Sequence, residues 1–279
     1  MVSLPLSTKD FVDKYQLMAK KALGQNFLLD SNITDKIVRL SVQEQGLSTL
    51  STENFLEIGP GPGGLTQAVL RQNPKSLTAI EMDERCLQIL AEIKDCYQQL
   101  EIVNGDALKF NWREKAKQHD AYHIISNLPY NISVVLLTDW LKQMEIFKSL
   151  TLMFQKEVGD RILAKPGTKD YGRISVISQL QCDVKKLFDL PPTCFVPAPK
   201  IWSSVLLFLP KKNLIDVSIL EKIEKVTALA FGQRRKMIRQ SLKSVPQIVE
   251  HLEALGIEAT LRAEDLNPED YFNIAKRLA

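Results

Sequence analysis

Near the middle of the chain, four consecutive residues could do chemistry on an amino-substituted nucleobase: Asn127, Leu128, Pro129 and Tyr130. The exocyclic nitrogen of adenine is a poor nucleophile because its lone pair is delocalised into the ring. The Asn127 side-chain oxygen and the carbonyl before Pro129 can accept both amino hydrogens, which favours a more nucleophilic nitrogen. Tyr130 offers a ring on which the base can stack. A strand that ends in an Asx-Pro turn would explain the same residues without any chemistry.

A glycine-rich segment lies upstream of this motif and reads EIGPGPGG over residues 57–64. Glycine lets the chain turn tightly and lets a ligand approach the backbone closely. The segment follows a stretch that predicts a strand and precedes one that predicts a helix, which is the context of a nucleotide-binding turn. Gly59, Gly61 and Gly64 also match the GxGxxG pattern, so a nicotinamide-dependent dehydrogenase is one alternative. A purely structural turn is another.

Two acidic residues follow the next two predicted strands. Glu81 lies about 20 residues beyond Gly59, where a carboxylate can accept hydrogen bonds from both ribose hydroxyls. Asp106 can accept a hydrogen bond from an adenine amino group. Either acid alone could be a helix cap or a solvated loop residue. Their positions at the carboxyl ends of consecutive strands favour a shared nucleoside site.

The elements that must position these residues alternate between strand and helix. Short apolar runs predict strands, and apolar residues at helical spacing predict helices. The predicted strands cover 55–58, 77–80, 100–103, 123–126 and 150–154, and the predicted helices cover 64–72, 84–94 (capped by Asp83) and 134–141. This alternation predicts an α/β fold, a parallel sheet with helices on both faces whose ligands lie beyond the carboxyl ends of the strands.

The pattern changes after about residue 164. The remaining segments are a polar loop at 165–172, predicted strands at 183–190 and 203–209, a linker at 210–213, and predicted helices at 217–230, 234–243, 246–255 and 268–278. The change predicts two domains. The first is a catalytic domain over residues 1–210, and the second is a smaller, mainly helical C-terminal domain over 211–279.

Together these motifs resemble the rRNA adenine N6-dimethyltransferase family, which is one family of class I S-adenosylmethionine-dependent methyltransferases. Residues 24–28 (GQNFL) resemble its N-terminal cofactor motif, and 57–63 resemble its methionine-binding loop. Glu81 resembles the ribose-binding acid, 105–107 the adenine-binding motif, and 127–130 the catalytic motif. The resemblance covers nearly the whole chain.

Three further segments make the resemblance closer to the small-subunit (16S) branch of that family. Residues 195–203 (FVPAPKIWS) resemble the target-base motif, while 171–175 (YGRIS) and 231–236 (FGQRRK) resemble segments of the branch. Two alternatives stay open. One is the related branch that methylates large-subunit rRNA and confers antibiotic resistance, and the other is a non-catalytic nucleic-acid-binding factor.

The resemblance implies a Rossmann-like class I methyltransferase fold, S-adenosyl-L-methionine as the cofactor and no metal. The implied substrate is a pair of adjacent adenosines in a hairpin loop near the 3′ end of small-subunit rRNA, each dimethylated at N6. The implied cofactor contacts are Gln25, Asn26, Leu28, Gly59, Gly61, Glu81, Met82, Asp106, Ala107 and Asn127. The implied catalytic residues are Asn127, Leu128, Pro129 and Tyr130, and Tyr130 and Phe195 would sandwich the target adenine.

A basic run near the C-terminus favours an RNA substrate. Residues 231–243 contain no acid and five cations: Arg234, Arg235, Lys236, Arg239 and Lys243. In a chain whose net charge is only +3, this run predicts phosphate contacts by Arg234, Arg235, Lys236 and Arg239. Arg235 and Arg239 are expected to share one helix face at i, i+4. A solvated helix face is the alternative.

Composition limits the class of protein. The chain is 45% hydrophobic and 25% charged, which is typical of a folded domain and not of low-complexity disorder. Its four cysteines form no CxxC pair, its three histidines give no zinc spacing, and scattered thiols fit a reducing cytosol. The N-terminal residues lack the apolar stretch of a secretory signal, and no segment suits a membrane span. These features predict a cytoplasmic location. The resemblance implies that the partner is rRNA within an assembling small ribosomal subunit, and a monomer is the default expectation.

Overall fold

The computed structural model describes residues 5–20, 23–117 and 121–278, and its centre is a β-sheet. The strands are β1 (Phe27–Leu28), β2 (Asn54–Ile58), β3 (Ser76–Glu81), β4 (Leu100–Asn104), β5 (Tyr122–Ser126), β6 (Phe147–Gln155), β7 (Cys182–Leu190), β8 (Phe195–Val196) and β9 (Ser203–Pro210). The helices are α1 (Thr8–Lys14), α2 (Ser31–Glu44), α3 (Gly64–Leu70), α4 (Glu84–Cys96), α5 (Trp112–Ala116), α6 (Tyr130–Leu141), α7 (Lys156–Leu163), α8 (Arg173–Gln181), α9 (Val217–Gly232), α10 (Ile238–Ser241), α11 (Ile248–Ala254) and α12 (Pro268–Arg277).

Within these residues the main sheet has the strand order β4-β3-β2-β5-β6-β9-β7. Strands β4, β3, β2, β5 and β6 run parallel, and β9 is antiparallel to β6. The chain moves outward from β2 to β4 and then returns to the other side of β2 as β5. Such a reversal opens a crevice at the carboxyl ends of the two central strands, where ligands bind in sheets of this kind. The predicted α/β fold is confirmed.

Local sequence explains why these elements form where they do. Strand β2 is buried at every position, as expected of a central parallel strand, and its register aligns Ile58 with Ile80. Asp83 is the N-cap of α4, as predicted, and its side chain accepts a hydrogen bond from the Arg85 N–H. Helix α6 begins directly at Tyr130, four residues earlier than the sequence predicts. The last residue of the Asn-Leu-Pro-Tyr motif is therefore the first residue of a helix.

The first compact unit comprises residues up to 137 together with 146–156 and 185–208. Its hydrophobic core includes Phe55, Leu77, Leu90 and Met153, all nearly inaccessible to solvent. Strands β1 and β8 form a separate two-stranded ribbon in which Leu28 pairs with Phe195. This unit contains every sequence-predicted cofactor and catalytic residue.

The second compact unit comprises residues 138–145, 157–184 and those from 209 onward. Helix α12 packs against α8 and α9. Phe231 lies between two tyrosines, with ring centroids 5.9 Å from Tyr171 and 5.7 Å from Tyr271. The YGRIS and FGQRRK segments thus meet in one aromatic cluster. The predicted boundary at residue 210 stays a prediction, although α7 and α8 lie in the same unit as the C-terminal helices.

The prediction of a helix over residues 234–243 is wrong in its extent, because only Ile238–Ser241 is helical. Residues 233–236 form a turn, and Met237 makes an isolated β-bridge with Arg262. The Ile238 N–H donates to the carbonyl of Leu261 at 2.6 Å. These tertiary hydrogen bonds occupy backbone groups that a continuous helix would use, so the chain turns instead.

Three further observations concern the described residues. None of the helices there is both long and apolar enough to cross a membrane. Cys86, Cys96, Cys182 and Cys194 are free thiols. The described part of the chain contains no group of three or more His, Cys, Asp or Glu side chains that could hold a metal ion.

Candidate active site

A cavity lies at the carboxyl ends of β2, β3, β4 and β5. This edge of a parallel sheet is where small molecules bind in folds of this kind. All of the predicted cofactor and catalytic residues line it: Gln25, Asn26, Leu28, Gly59, Gly61, Glu81, Met82, Asp106, Ala107, Asn127, Leu128, Pro129 and Tyr130. The parallel register explains this convergence, because strand ends that are distant in sequence meet at one edge of the sheet.

The glycines of the 57–64 turn let its backbone lie at the cavity wall and against the 24–28 segment. Gly61 has a φ of +56°, and a Cβ there would lie 3.1 Å from the Phe27 ring. At Gly64 a Cβ would lie 2.7 Å from the backbone carbonyl oxygen of Leu28, which cannot move aside cheaply. Glycine at these two positions therefore lets the 24–28 segment pack directly on the turn.

Glu81 is buried at the end of β3 and organises the surrounding backbone. Its Oε1 accepts hydrogen bonds from the N–H groups of Met82 and Asp83, each at 2.8 Å, and its Oε2 accepts one from Gly61 at 3.0 Å. A carboxylate offers about four lone-pair sites, so capacity remains on Oε2 for about one further donor. Burial raises the pKa of Glu81, while the three backbone donors oppose that rise.

Asp106 has the capping role that the sequence left open. It caps the short turn that follows β4, since its Oδ1 accepts a hydrogen bond from the Leu108 N–H at 3.0 Å. Its Oδ2 lies 3.8 Å from the Lys109 ammonium and at the cavity wall. The cap fixes the carboxylate and leaves Oδ2 able to accept a hydrogen bond from a ligand.

Gln25 lines the cavity, yet its side-chain amide is already engaged. The Nε2 group donates to Asp83 Oδ2 at 3.0 Å, and Oε1 accepts from the Lys20 N–H at 2.8 Å. Asp83 also binds the Arg85 guanidinium, which holds the pKa of the Asp83 carboxyl well below its usual range. In this structure the Gln25 side chain ties the 24–28 segment to the start of α4.

The orientation of the Asn127 amide follows from its one hydrogen bond. Asn127 Nδ2 donates to the backbone carbonyl of Asn26 at 3.1 Å. A carbonyl oxygen can only accept, so the nitrogen must face Asn26 and the oxygen must face the other way. No described residue donates a hydrogen bond to Asn127 Oδ1, which leaves a half-buried acceptor at the cavity wall.

The two rings that are predicted to sandwich a base are not brought together. Tyr130 lines the cavity, and its hydroxyl lies 2.6 Å from Ser203 Oγ. Phe195 is only 2% exposed, packs in the core and is not part of the cavity wall. Its neighbour Val196 and the nearby Trp202 are instead about half exposed. A stacking role for Phe195 therefore stays a prediction.

Glu57 also lines this cavity but was not among the predicted site residues. It is fully buried in β2, and burial raises its pKa to about 8. Thr66 Oγ1 donates to Glu57 Oε2 at 2.6 Å and partly offsets that rise. A single acid inside an otherwise apolar predicted strand was the signal that could have marked it.

The raised pKa predicts a specific pH dependence of stability for the ligand-free protein. A carboxyl with a higher pKa when folded contributes stability that is full below pH 4.5 and is lost as the pH rises through about 8. Glu57→Gln removes this titration. We expect the variant to gain roughly 3–5 kcal/mol in free energy of unfolding, relative to wild type, between pH 4.5 and 8.

Urea unfolding at several pH values would measure this difference. The change with pH is the informative quantity, because the buried glutamine amide adds an offset that does not depend on pH. Stability curves of Glu57→Gln and wild type that run parallel from pH 4.5 to 8 would show that Glu57 titrates normally.

The basic run lies in the second unit, and its members differ in how they are used. Arg234 Nε donates to Glu264 Oε2 at 2.6 Å, and its Nη2 donates to the carbonyl of Thr168 at 3.1 Å. Arg235, Lys236, Arg239 and Lys243 are exposed, and none has an ion pair with a described residue. The prediction that Arg235 and Arg239 share one helix face is wrong, because Arg235 lies in the turn before α10.

Comparison with known proteins identifies similar chains. A family model described as ribosomal RNA adenine dimethylase matches residues 16–279. The chain is 44% identical to the ribosomal RNA small subunit methyltransferase A of Xanthobacter autotrophicus over 276 residues, which is 97% of this chain and 93% of that one. It is also 44% identical to the protein of that name from Agrobacterium fabrum, over 97% of this chain and 96% of that one.

Solved structures agree on the fold. A dimethyladenosine transferase from Plasmodium falciparum superposes with a TM-score of 0.73 at 24% identity, over 88% of this chain and 94% of that one. The 23S rRNA methyltransferase ErmE superposes with a TM-score of 0.66 at 23% identity, over 91% of this chain and 99% of that one. This chain therefore shares the fold of these two proteins.

Proposed function

The chain belongs to the ribosomal RNA adenine dimethylase family, and from this premise we propose that it dimethylates N6 of two adjacent adenosines in small-subunit (16S) rRNA. The methyl donor is S-adenosyl-L-methionine, and the target is a hairpin loop near the 3′ end. The observation that carries the proposal is the Asn127 side-chain oxygen. It is an oriented acceptor without a partner among the described residues, in the same cavity as the glycine turn and the two strand-end acids.

The cavity fits this cofactor. Gly59 and Gly61 line the cavity with backbone, which a ligand can approach closely because these residues have no side chains. Glu81 Oε2 retains capacity for a ribose hydroxyl, and Asp106 Oδ2 can accept from the adenine amino group. Met82, which is 54% exposed, and Ala107 supply apolar surface near these acids.

The chain's contribution to the reaction is positioning and polarisation. When bound, S-adenosyl-L-methionine would supply a methyl carbon that is already activated by its sulfonium charge. Asn127 Oδ1 and the Leu128 carbonyl would each accept one hydrogen of the adenine amine, which orients the nitrogen for attack. Pro129 has no N–H and fixes its own φ, which keeps the segment rigid. No strong base is required, because the amine becomes acidic as it is methylated.

An unpaired loop base suits this site because it costs little to extrude into a pocket. Tyr130 would stack on the base, which contributes roughly 1–3 kcal/mol. Phe195 is proposed as the opposite face of the sandwich only once the base is bound, since its ring is buried in the ligand-free structure.

Similarity favours the small-subunit substrate over the large-subunit one. Relatives that are 43–44% identical across nearly the whole chain carry the name small subunit methyltransferase A. The identity with the 23S rRNA methyltransferase is 23%, a likeness that supports the fold alone. A purely non-catalytic role is disfavoured because Asn127 and both strand-end acids are present in one cavity.

The setting follows from the substrate. We propose that the chain acts in the cytoplasm on rRNA within an assembling small ribosomal subunit, with a role in subunit biogenesis. We propose that it does so as a monomer.

Methyl transfer from radiolabelled S-adenosyl-L-methionine would test the function directly. The substrates are naked 16S rRNA, immature small subunits, and 23S rRNA as a specificity control. We expect label in small-subunit RNA, recovered as N6,N6-dimethyladenosine after digestion to nucleosides. Label confined to 23S rRNA would favour the other branch, and no label in any RNA would contradict the proposal.

The exposed cations near α10 predict how salt affects RNA binding. Arg235→Ala combined with Arg239→Ala is expected to weaken RNA binding without changing cofactor affinity. If both side chains contact phosphates of looped RNA, the slope of log K against log salt should fall by about 1.4, or about 0.7 for each lost contact. Filter binding over a series of salt concentrations measures this slope.

A matched control removes the same charge elsewhere. Lys75→Ala combined with Lys94→Ala also deletes two exposed cations, in the first unit. This control should leave the slope near the wild-type value. Equal slopes for wild type and the Arg235/Arg239 variant would assign those arginines to solvent.

A further inference from the structure

One hydrogen bond joins the last residues of two separate motifs. Tyr130 ends the Asn-Leu-Pro-Tyr motif, Ser203 ends the FVPAPKIWS motif, and Tyr130 Oη lies 2.6 Å from Ser203 Oγ. Ser203 is completely buried, and its hydroxyl has no other hydrogen-bond partner among the described residues. A buried hydroxyl without a partner is costly, so each residue constrains the other.

The Ser203 side of this bond is fixed by the sheet. Ser203 is the first residue of β9, where it pairs with Gln155 of β6. Immediately before it, the carbonyl of Trp202 accepts a hydrogen bond from the Lys156 N–H at 2.8 Å. The serine hydroxyl is therefore anchored to regular structure and not to a loop.

The consequence for Tyr130 follows from the geometry of a tyrosine. The hydroxyl lies on the Cβ–Cγ axis, so a bond at that atom still permits the ring to flip by 180°. It opposes rotation about Cα–Cβ, which would carry the hydroxyl away from Ser203. Burial raises the pKa of Tyr130, so the hydroxyl remains neutral and able to make this bond at physiological pH.

We propose that Ser203 is a positioning residue that holds the Tyr130 ring in place as a preformed platform for the target base. The proposal rests on the function proposed above, in which Tyr130 stacks on the adenine. It gives the end of the target-base motif a physical role that does not require Ser203 to touch the RNA.

The expected effect is on turnover and not on affinity, because the ring in Ser203→Ala would have to reach its productive rotamer within the bound complex. Fixing one side chain costs about 0.5–1.5 kcal/mol, which corresponds to about 2- to 12-fold. Ser203→Ala should therefore lower the single-turnover rate by about 2- to 12-fold with RNA and cofactor saturating. Affinity for RNA should be unchanged, because it comes mainly from phosphate contacts.

Neighbouring Ser204 provides a matched control. It lies on the same strand, is equally buried, and its hydroxyl donates to Asp189 Oδ1 at 2.5 Å. Ser204→Ala should lower thermal stability about as much as Ser203→Ala while leaving the single-turnover rate at the wild-type value. A purely structural role for Ser203 would make the two variants behave alike.

A double-mutant cycle with Tyr130→Phe completes the test. If one bond carries the effect, Tyr130→Phe, Ser203→Ala and the double variant should all be slowed by the same factor.

Three outcomes would each overturn the proposal: additive losses of rate in the double variant, a wild-type rate for Ser203→Ala, or equal rates for Ser203→Ala and Ser204→Ala. If Ser203→Ala does not fold, Tyr130→Phe breaks the same bond from the cavity side, and a wild-type rate for it would also overturn the proposal. Wild-type protein that transfers no methyl group would instead contradict the proposed function.

Discussion

Replacing Asn127 with alanine is expected to lower the rate of methyl transfer about 10²- to 10³-fold while leaving RNA affinity nearly unchanged. The amide oxygen is oriented in advance by the bond from Nδ2 to the Asn26 carbonyl. Deleting a preorganised acceptor of this kind typically costs on the order of 10²–10³ in rate, by analogy with oxyanion-hole donors. RNA affinity is expected to come from phosphate contacts and stacking, to which Asn127 does not contribute.

Two further variants test whether the orientation of the Asn127 side-chain oxygen matters, or only the presence of an acceptor oxygen at this position. Asn127→Asp keeps acceptor oxygens but loses the Nδ2 donor, and its charge is repelled by the Asn26 carbonyl, so we expect a comparable loss of rate. Asn131→Ala removes an exposed asparagine four residues later that does not line the cavity, and it should be neutral. The rates are measured in single turnovers at saturating S-adenosyl-L-methionine. Near-wild-type turnover by Asn127→Ala would remove Asn127 from the mechanism.

The part of the site that lies at strand ends is predictable from sequence. Glu81 and Asp106 follow short apolar strands, and in a parallel sheet the carboxyl ends of adjacent strands must meet. Chain order alone therefore brings them together, without any knowledge of side-chain contacts. The same reasoning places the glycine turn and Asn127 at that edge, because β2 and β5 are neighbours.

Two features could not be read from local sequence, for different physical reasons. Charge and apolar spacing over 234–243 are compatible with a helix, but the bridge between Met237 and Arg262 and the Arg234–Glu264 ion pair depend on residues about 25–30 positions away. Phe195 belongs to a motif that suggests a base-stacking role, yet its ring packs in the core because β8 pairs with β1. In both cases tertiary contacts override the local pattern.

Replacing Glu81 with alanine is expected to weaken S-adenosyl-L-methionine binding by more than tenfold. A hydrogen bond to a charged group contributes about 1.5–3 kcal/mol, so loss of even one ribose contact is sufficient for that change. The variant also leaves the N–H groups of Gly61, Met82 and Asp83 without their shared acceptor, which should loosen the glycine turn. Both effects weaken cofactor binding.

The neighbouring acid Glu84 separates this role from a general effect of charge. Glu84→Ala removes an exposed carboxylate three residues later, outside the cavity wall, and should leave cofactor affinity unchanged.

A second variant, Glu81→Gln, retains one carbonyl oxygen for the backbone donors. It should therefore unfold at a higher temperature than Glu81→Ala while still binding the cofactor more weakly than wild type. Isothermal titration calorimetry and thermal unfolding measure the two quantities independently. Wild-type cofactor affinity in a folded Glu81→Ala variant would show that the carboxylate only shapes the turn, and the ribose contact would then have to come from another residue at this end of the sheet.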